Sequence, residues 1–207
     1  MELLSIASGS SGNCYYVGNE ETHLLVDAGV SGKKIETALN EIDRKPSDLN
    51  GILVTHEHID HVKGLGVMAR KHGIPIYTTG GTISEIKKMS SVGTIDDSLF
   101  HEIEPDEPFF INDLSIDASA IWHDAADPVC YSISDGKSKF SIATDMGNFD
   151  DYVVNKLKNS DIMVIEANHD IRMLQAGPYP YYLKQRILGN RGHLSNERSG
   201  QLIKALL

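Results

Sequence analysis

Apolar positions along the chain fall into short runs separated by turn-forming residues, and the spacing inside each run sets the element it predicts. In the first 30 residues, Leu3 to Ala7, Cys14 to Val17 and His23 to Asp27 read as three strands joined by clusters of Gly, Ser and Asn, the opening of a β-meander. Lys33 to Ile42 places Ile35, Leu39 and Ile42 on one helical face, and Pro46 marks its end. The apolar strand Gly51 to Val54 comes next. His61 to His72 has helical spacing at Val62, Leu65 and Met68, with Gly73 as its C-cap. Ile74 to Tyr77 reads as a strand and Thr82 to Met89 as a helix. Strands are then predicted over Leu99 to Ile103, Phe109 to Ile111, Leu114 to Ile121, Val129 to Ser134 and Phe140 to Thr144. The alternation of Leu114, Ile116 and Ala118 indicates a half-buried sheet. A helix at Tyr152 to Leu157, a strand at Ile162 to Ile165 and helices at Tyr181 to Leu188 and Glu197 to Leu207 complete the chain.

Strands gathered in meanders with helices between them imply two packed sheets clad by helices rather than a regular βαβ alternation. The expected fold class is mixed α/β of the α+β kind, an αββα sandwich, formed by residues 1–207 as a single domain. Apolar residues make up 41% and charged residues 23%, which excludes a disordered or collagen-like chain. No run of about 18 apolar residues is present and the amino terminus lacks a basic signal region, so no membrane segment and a cytoplasmic location are expected. Cys14 and Cys130 are too few and too far apart for a disulfide framework and read as small buried thiols.

The net charge of −10 argues against broad electrostatic adhesion to nucleic acid or anionic membrane, but the charge is unevenly spread. Residues 1–169 carry −14 and residues 170–207 carry +4, which makes the carboxy-terminal part the candidate anion-facing surface.

The chemistry is concentrated in Thr55-His56-Glu57-His58-Ile59-Asp60-His61, directly after the strand Gly51 to Val54. In an extended loop, side chains two apart point the same way, so His56 and His58 can meet one ion. A helix beginning near His61 would turn Asp60 and His61 toward a second. Imidazole with carboxylate suits a borderline divalent metal. Ser8 to Asn13 lacks the Lys of a phosphate-binding P-loop and leads into a strand, so it reads as a hairpin turn.

H-x-H-x-D-H after a strand resembles the defining motif of the metallo-β-lactamase superfamily. Ser8 to Cys14, Trp122 to Ala125, Ala143 to Gly147, Glu166 to Asp170 and Arg191 to Asn196 together resemble the YycJ/WalJ-like subfamily. The resemblance implies nuclease activity, notably 5′-to-3′ exonuclease action on double-stranded DNA. It implies two divalent metals, Zn or Mn with Fe as a further option. His56, His58 and His123 would hold the first, and Asp60 and His61 the second, with Asp145 bridging. His123 follows the strand Leu114 to Ile121 and Asp145 ends the strand Phe140 to Thr144, so both fall at strand ends. The resemblance also implies a last histidine ligand beyond His193, where this sequence has none. A carboxy-terminal edge shorter than the family's, and a weakly held second metal, are therefore expected.

Asp60 and His193 are the candidate catalytic residues, His193 as a phosphate-contacting proton donor or, less favoured, as a substitute ligand. Arg186, Arg191 and His169 are the candidate substrate-binding residues, with DNA or another phosphodiester as partner. A hydrolase of thioesters, lactones or small phosphodiesters on the same core, and a binding module with an incomplete second site, are the competing readings.

Overall fold

The computed structural model describes residues 1–207. Two sheets form its centre. The first has six strands in chain order: β1 (Glu2–Ala7), β2 (Cys14–Gly18), β3 (His23–Val26), β4 (Gly51–Leu53), β5 (Ile76–Thr78) and β6 (Phe100–Glu102). Its first three strands are the antiparallel meander the sequence predicts. From β3 onward the pairing is parallel, each crossover being helical: α1 (Gly32–Glu41), then α2 (Ile59–Val62) with α3 (Leu65–His72), then α4 (Gly80–Lys88). Half of this sheet is thus a βαβ run, contrary to the expectation of meanders alone. β4, β5 and β6 span three residues each, too few for a parallel strand to declare itself by pattern.

The second sheet has five strands: β7 (Phe109–Ile111), β8 (Leu114–Ala120), β9 (Val129–Ser134), β10 (Lys139–Ala143) and β11 (Ile162–Ile165). It is antiparallel except for β11, which returns parallel to β10 through α5 (Asp151–Leu157). Helices α6 (Ile171–Ala176), α7 (Tyr181–Leu188) and α8 (Asn196–Leu206) follow. No helix is long and apolar enough to cross a membrane.

Side-chain alternation divides the interior into three apolar layers. On β2, Tyr15 and Val17 face the second sheet, while Cys14 and Tyr16 face α1 and α3. On β9, Tyr131 and Ile133 face the first sheet and Cys130 faces the layer that holds α5 and α8. Both faces of the central strands are covered, so they read as continuous apolar runs. This is the expected αββα sandwich. The two thiols are free and lie in different layers, and burial pushes that of Cys130 up to about 12.

The segment expected as one helix from His61 to His72 is two. The break falls at Gly64, whose N–H donates to the Ala28 carbonyl at 2.7 Å, and the Val30 carbonyl oxygen, 2.1 Å from where a Cβ would lie, keeps the position a glycine. Gly73 takes the left-handed backbone (φ 65°) that caps α3. α6, six residues with only Leu174 buried, carries no apolar periodicity and was not expected.

Candidate metal centre

The site forms where strand ends of both sheets meet. The main chain holds the histidine loop: the Asp60 carbonyl accepts from Asn13 N at 2.7 Å, the His61 carbonyl from Ala28 N at 2.8 Å, and Gly64 N donates to the Ala28 carbonyl at 2.7 Å. Gly29 permits this seam, since a Cβ there would sit 1.6 Å from the Asp60 carbonyl oxygen. Two aspartates that end strands, Asp27 and Asp145, adopt left-handed backbone (φ 61° and 56°), which swings their carboxylates into the site.

Three imidazoles converge first. His56 Nε2 is 3.1 Å and His123 Nε2 is 3.2 Å from His58 Nδ1. Hydrogen bonds at the far ring nitrogens fix which atoms face inward. The Thr55 hydroxyl gives its only proton to Asp27, at 2.9 Å, so it accepts from His56 Nδ1 at 3.0 Å. His123 Nδ1 donates to the Gly192 carbonyl at 3.0 Å. Both inward Nε2 atoms then carry lone pairs. Burial, reinforced by the neighbouring histidines, holds His56 well below the ordinary histidine pKa, and burial lowers His123 to about 4. Neutral imidazoles aimed at one point fit a cation, because metal–nitrogen bonds of about 2.0–2.1 Å in a tetrahedron place donors roughly 3.3 Å apart.

A second donor set shares His56 with the first and adds His61 and Asp145. His61 is completely buried between two carboxylates, with Nδ1 2.7 Å from Asp27 and Nε2 2.7 Å from Asp145. Burial opposes charge on that ring, but the two carboxylates outweigh it and raise its pKa well above the ordinary value. Burial likewise opposes ionisation of Asp145, yet His61 brings its carboxyl down to about 2. Asp60 lies beside this set, 3.7 Å from His61 Nε2, with its side chain on the cavity wall. The expected ligands are therefore brought together, five within the two sets and Asp60 at their margin.

A third cluster joins Asp145, Glu166 and His193. Glu166 follows β11 and accepts from Met146 N, Leu194 N and His193 Nδ1, the last at 3.0 Å. Burial works against a proton on His193, but Glu166, with Asp145 behind it, holds its pKa above the ordinary value. The ring is thereby oriented, with Nε2 as its free nitrogen.

Asp60, Asp145, Glu166 and His193 open on a cavity of about 700 Å³ whose walls also include Ser8, Ser10 and His169. The Ser8 to Asn13 segment is the expected β1–β2 hairpin turn, and it also lines the cavity. Of the expected substrate residues, His169 lines it with both ring nitrogens buried and unpartnered. Arg186 lines it too, with its Nε hydrogen-bonded to Asp124. Arg191 is exposed outside it.

Three contributors escaped the sequence reading. Asn13, Asp124 and Glu166 fall inside the segments Ser8 to Cys14, Trp122 to Ala125 and Glu166 to Asp170, which assign none of them a role. Asn13 Nδ2 lies 3.0 Å from His61 Nε2 while its Oδ1 accepts from Gly9 N. Asp124 stands 3.4 Å from His123 Nε2 and holds Arg186. Only Glu166 had a usable signal, its position at the end of a predicted strand.

Comparison with known proteins identifies the family. The family described as "Beta-lactamase superfamily domain" matches residues 22–206. Exodeoxyribonuclease WalJ of Streptococcus pneumoniae serotype 2 is 44% identical over 192 residues, covering 93% of this chain and 71% of that protein. The chain belongs to the metallo-β-lactamase superfamily, in its YycJ/WalJ-like subfamily. Exodeoxyribonuclease YycJ of Bacillus anthracis, another member, is 39% identical over 93% of this chain and 72% of its own length. Among solved structures, the short form of human tRNase Z superposes with a TM-score of 0.74 at 18% identity, covering 100% of this chain and 88% of that one. The metallo-β-lactamase fold protein YhfI of Bacillus subtilis gives 0.73 at 17%, covering 99% and 80%. Likenesses at such identity establish the superfamily's fold and nothing finer.

Proposed function

We propose that this metallo-β-lactamase superfamily protein is a metal-dependent phosphodiesterase that degrades DNA, as a 5′-to-3′ exonuclease, with two divalent ions. The observation that carries the reading is the shared donor array: three converging imidazoles beside a His56, His61 and Asp145 set, with Asp145 and the Glu166–His193 pair on the cavity wall. His56, His58 and His123 would hold one ion, and His61, Asp145 and Asp60 the other. Bound divalent ions supply Lewis acidity toward a phosphoryl oxygen and acidify water to near neutrality.

The protein's own groups do the rest. Asp27 and Thr55 fix the His61 and His56 rings, so the donors are set before substrate arrives. His193, kept protonated by Glu166, delivers a proton to the leaving alkoxide. Asp124 restrains Arg186 at the cavity wall, where its half-exposed guanidinium can meet a flanking phosphate. His169, which lines the cavity and whose buried ring nitrogens have no partner within the protein, is a second phosphate contact. Arg191 is a more distant one, outside the cavity. The names of the S. pneumoniae and B. anthracis relatives support DNA as the substrate.

The test is a substrate panel with Mn²⁺ or Zn²⁺ restored after chelation: a 5′-phosphorylated DNA duplex, bis(p-nitrophenyl) phosphate and a glutathione thioester. Hydrolysis of both phosphodiesters with little action on the thioester is expected. Thioester hydrolysis without phosphodiester hydrolysis would replace this reading with the thioesterase alternative.

A further inference from the structure

The segment from Ile171 to Leu188, helices α6 and α7 with their connection, stands apart from the rest of the surface. Eleven large hydrophobic side chains are exposed in the whole protein, and four of them lie within ten residues here: Met173, Tyr179, Tyr181 and Tyr182. Tyr181 and Tyr182 are 77% and 74% exposed and support no core, and α7 has no fully buried residue. The hairpin is nevertheless held in shape. Lys184 Nζ donates to the Gln175 carbonyl at 2.7 Å, tying α7 to α6, and Pro178 and Pro180 restrict the connection between them. Rigid tyrosines present large amphipathic faces at little entropic cost.

Two further observations indicate what covers them. First, from Ile171 to Asn196 there is no acidic residue and there are four basic ones, in a chain whose net charge is −10. Arg172 and Arg191 are exposed and form no ion pair. Second, the surface is continuous with the cavity. Leu174 of α6, Tyr179 of the connection, and Leu183, Arg186 and Ile187 of α7 line it. Tyr182 precedes Arg186 by one helical turn and so flanks the lining stripe. Aromatic faces flanked along the chain by the unpaired guanidinium groups of Arg172 and, just past α7, Arg191 match a strand whose bases are unstacked and whose phosphates are bare.

We propose that the α6–α7 hairpin is a docking surface for single-stranded nucleic acid, with bases stacking on Tyr179, Tyr181 and Tyr182 and phosphates meeting Arg172 and Arg191. The inference deepens the nuclease reading: the hairpin takes an unpaired strand and feeds it to the cavity, whereas an intact duplex shields its base faces and gains only the charge contacts.

The test is fluorescence anisotropy on the metal-loaded full chain, using a short labelled phosphorothioate DNA strand, the same sequence as a blunt duplex, and tripolyphosphate as a competitor that has charge but no bases. Wild type should prefer the single strand. The double variant Tyr181→Ala/Tyr182→Ala should lose about tenfold in single-strand affinity with tripolyphosphate competition unchanged, and Tyr181→Phe/Tyr182→Phe should retain the wild-type value. Equal affinity of the alanine variant and wild type, or an equal loss in the phenylalanine variant, overturns the stacking surface. So does self-association of wild type, seen by sedimentation, that the alanine substitutions abolish, because the face is then a subunit contact. If wild type binds single strands through the tyrosines yet hydrolyses no phosphodiester with any metal, the docking surface stands and the nuclease reading falls.

Discussion

The histidine loop and the α6–α7 hairpin frame one cavity but are built differently. In the loop, Thr55, His56, His61 and Val62 are almost wholly buried, and main-chain bonds to two other segments fix the backbone. In the hairpin only Leu174 is buried, and the large side chains point outward. The difference follows from the two tasks. Donor atoms must hold their positions to within a few tenths of an ångström, which takes packing and satisfied hydrogen bonds. A surface that takes a strand of any sequence needs accessible faces and charge, and gains nothing from burial.

If the loop is the rigid chemical wall, the largest effect should come from removing a ligand that the fold does not need. The His58 side chain is 27% exposed and packs in no apolar layer. His58→Ala is expected to cut metal-dependent turnover below about a thousandth of wild type, roughly 4 kcal/mol, with an unchanged circular dichroism spectrum. Near wild-type turnover by the folded variant would show that this histidine holds no catalytic ion.

The next effect tests the seam itself. A methyl group at Gly29 meets the Asp60 carbonyl oxygen and lies 2.7 Å from Asn13 N, the two atoms that bond each other across the seam. Gly29→Ala should cost about 3 kcal/mol or more in urea unfolding and should weaken metal retention in equilibrium dialysis. Unchanged stability would mean that the loop yields, and the contrast with the hairpin would fail.

His193 belongs to neither region, and its variant separates proton delivery from metal holding. His193→Ala should lose about 100-fold in rate, near 2.7 kcal/mol, on DNA, whose alkoxide leaving group needs a proton. On bis(p-nitrophenyl) phosphate, which releases a stable phenolate, the loss should be much smaller. Equal losses on the two substrates, together with loss of metal by elemental analysis, would make His193 a ligand instead.

Legibility in the sequence follows the same division. The central strands and the H-x-H-x-D-H loop are readable because their determinants are local: continuous apolar runs on β2 and β3, alternation on β8, and donors spaced two apart after an apolar strand. Asn13 and Glu166 were not, because each acquires its role from a partner 48 or 27 residues away. Arg186 looked like a free phosphate contact in sequence, and only the fold brings Asp124 to it, 62 residues distant. Strands β4 to β6 are legible as strands, but at three residues each they carry no sign of their parallel pairing, and α6 has no apolar periodicity to read.

The smallest effect should have the opposite sign, and it comes from the other chemically silent glycine. Gly200 lies inside α8, exposed, with helical rather than left-handed backbone, and a Cβ there would meet nothing within 4 Å. Glycine in a helix interior costs about 1 kcal/mol relative to alanine through the freedom it keeps when unfolded. Gly200→Ala should therefore raise unfolding stability by roughly that amount, leaving metal content and turnover unaltered. The substitution is the same one that is damaging at Gly29, so the pair isolates close backbone approach from glycine flexibility. A loss of stability at Gly200 would show that α8 meets a surface there which the empty space around that position does not reveal.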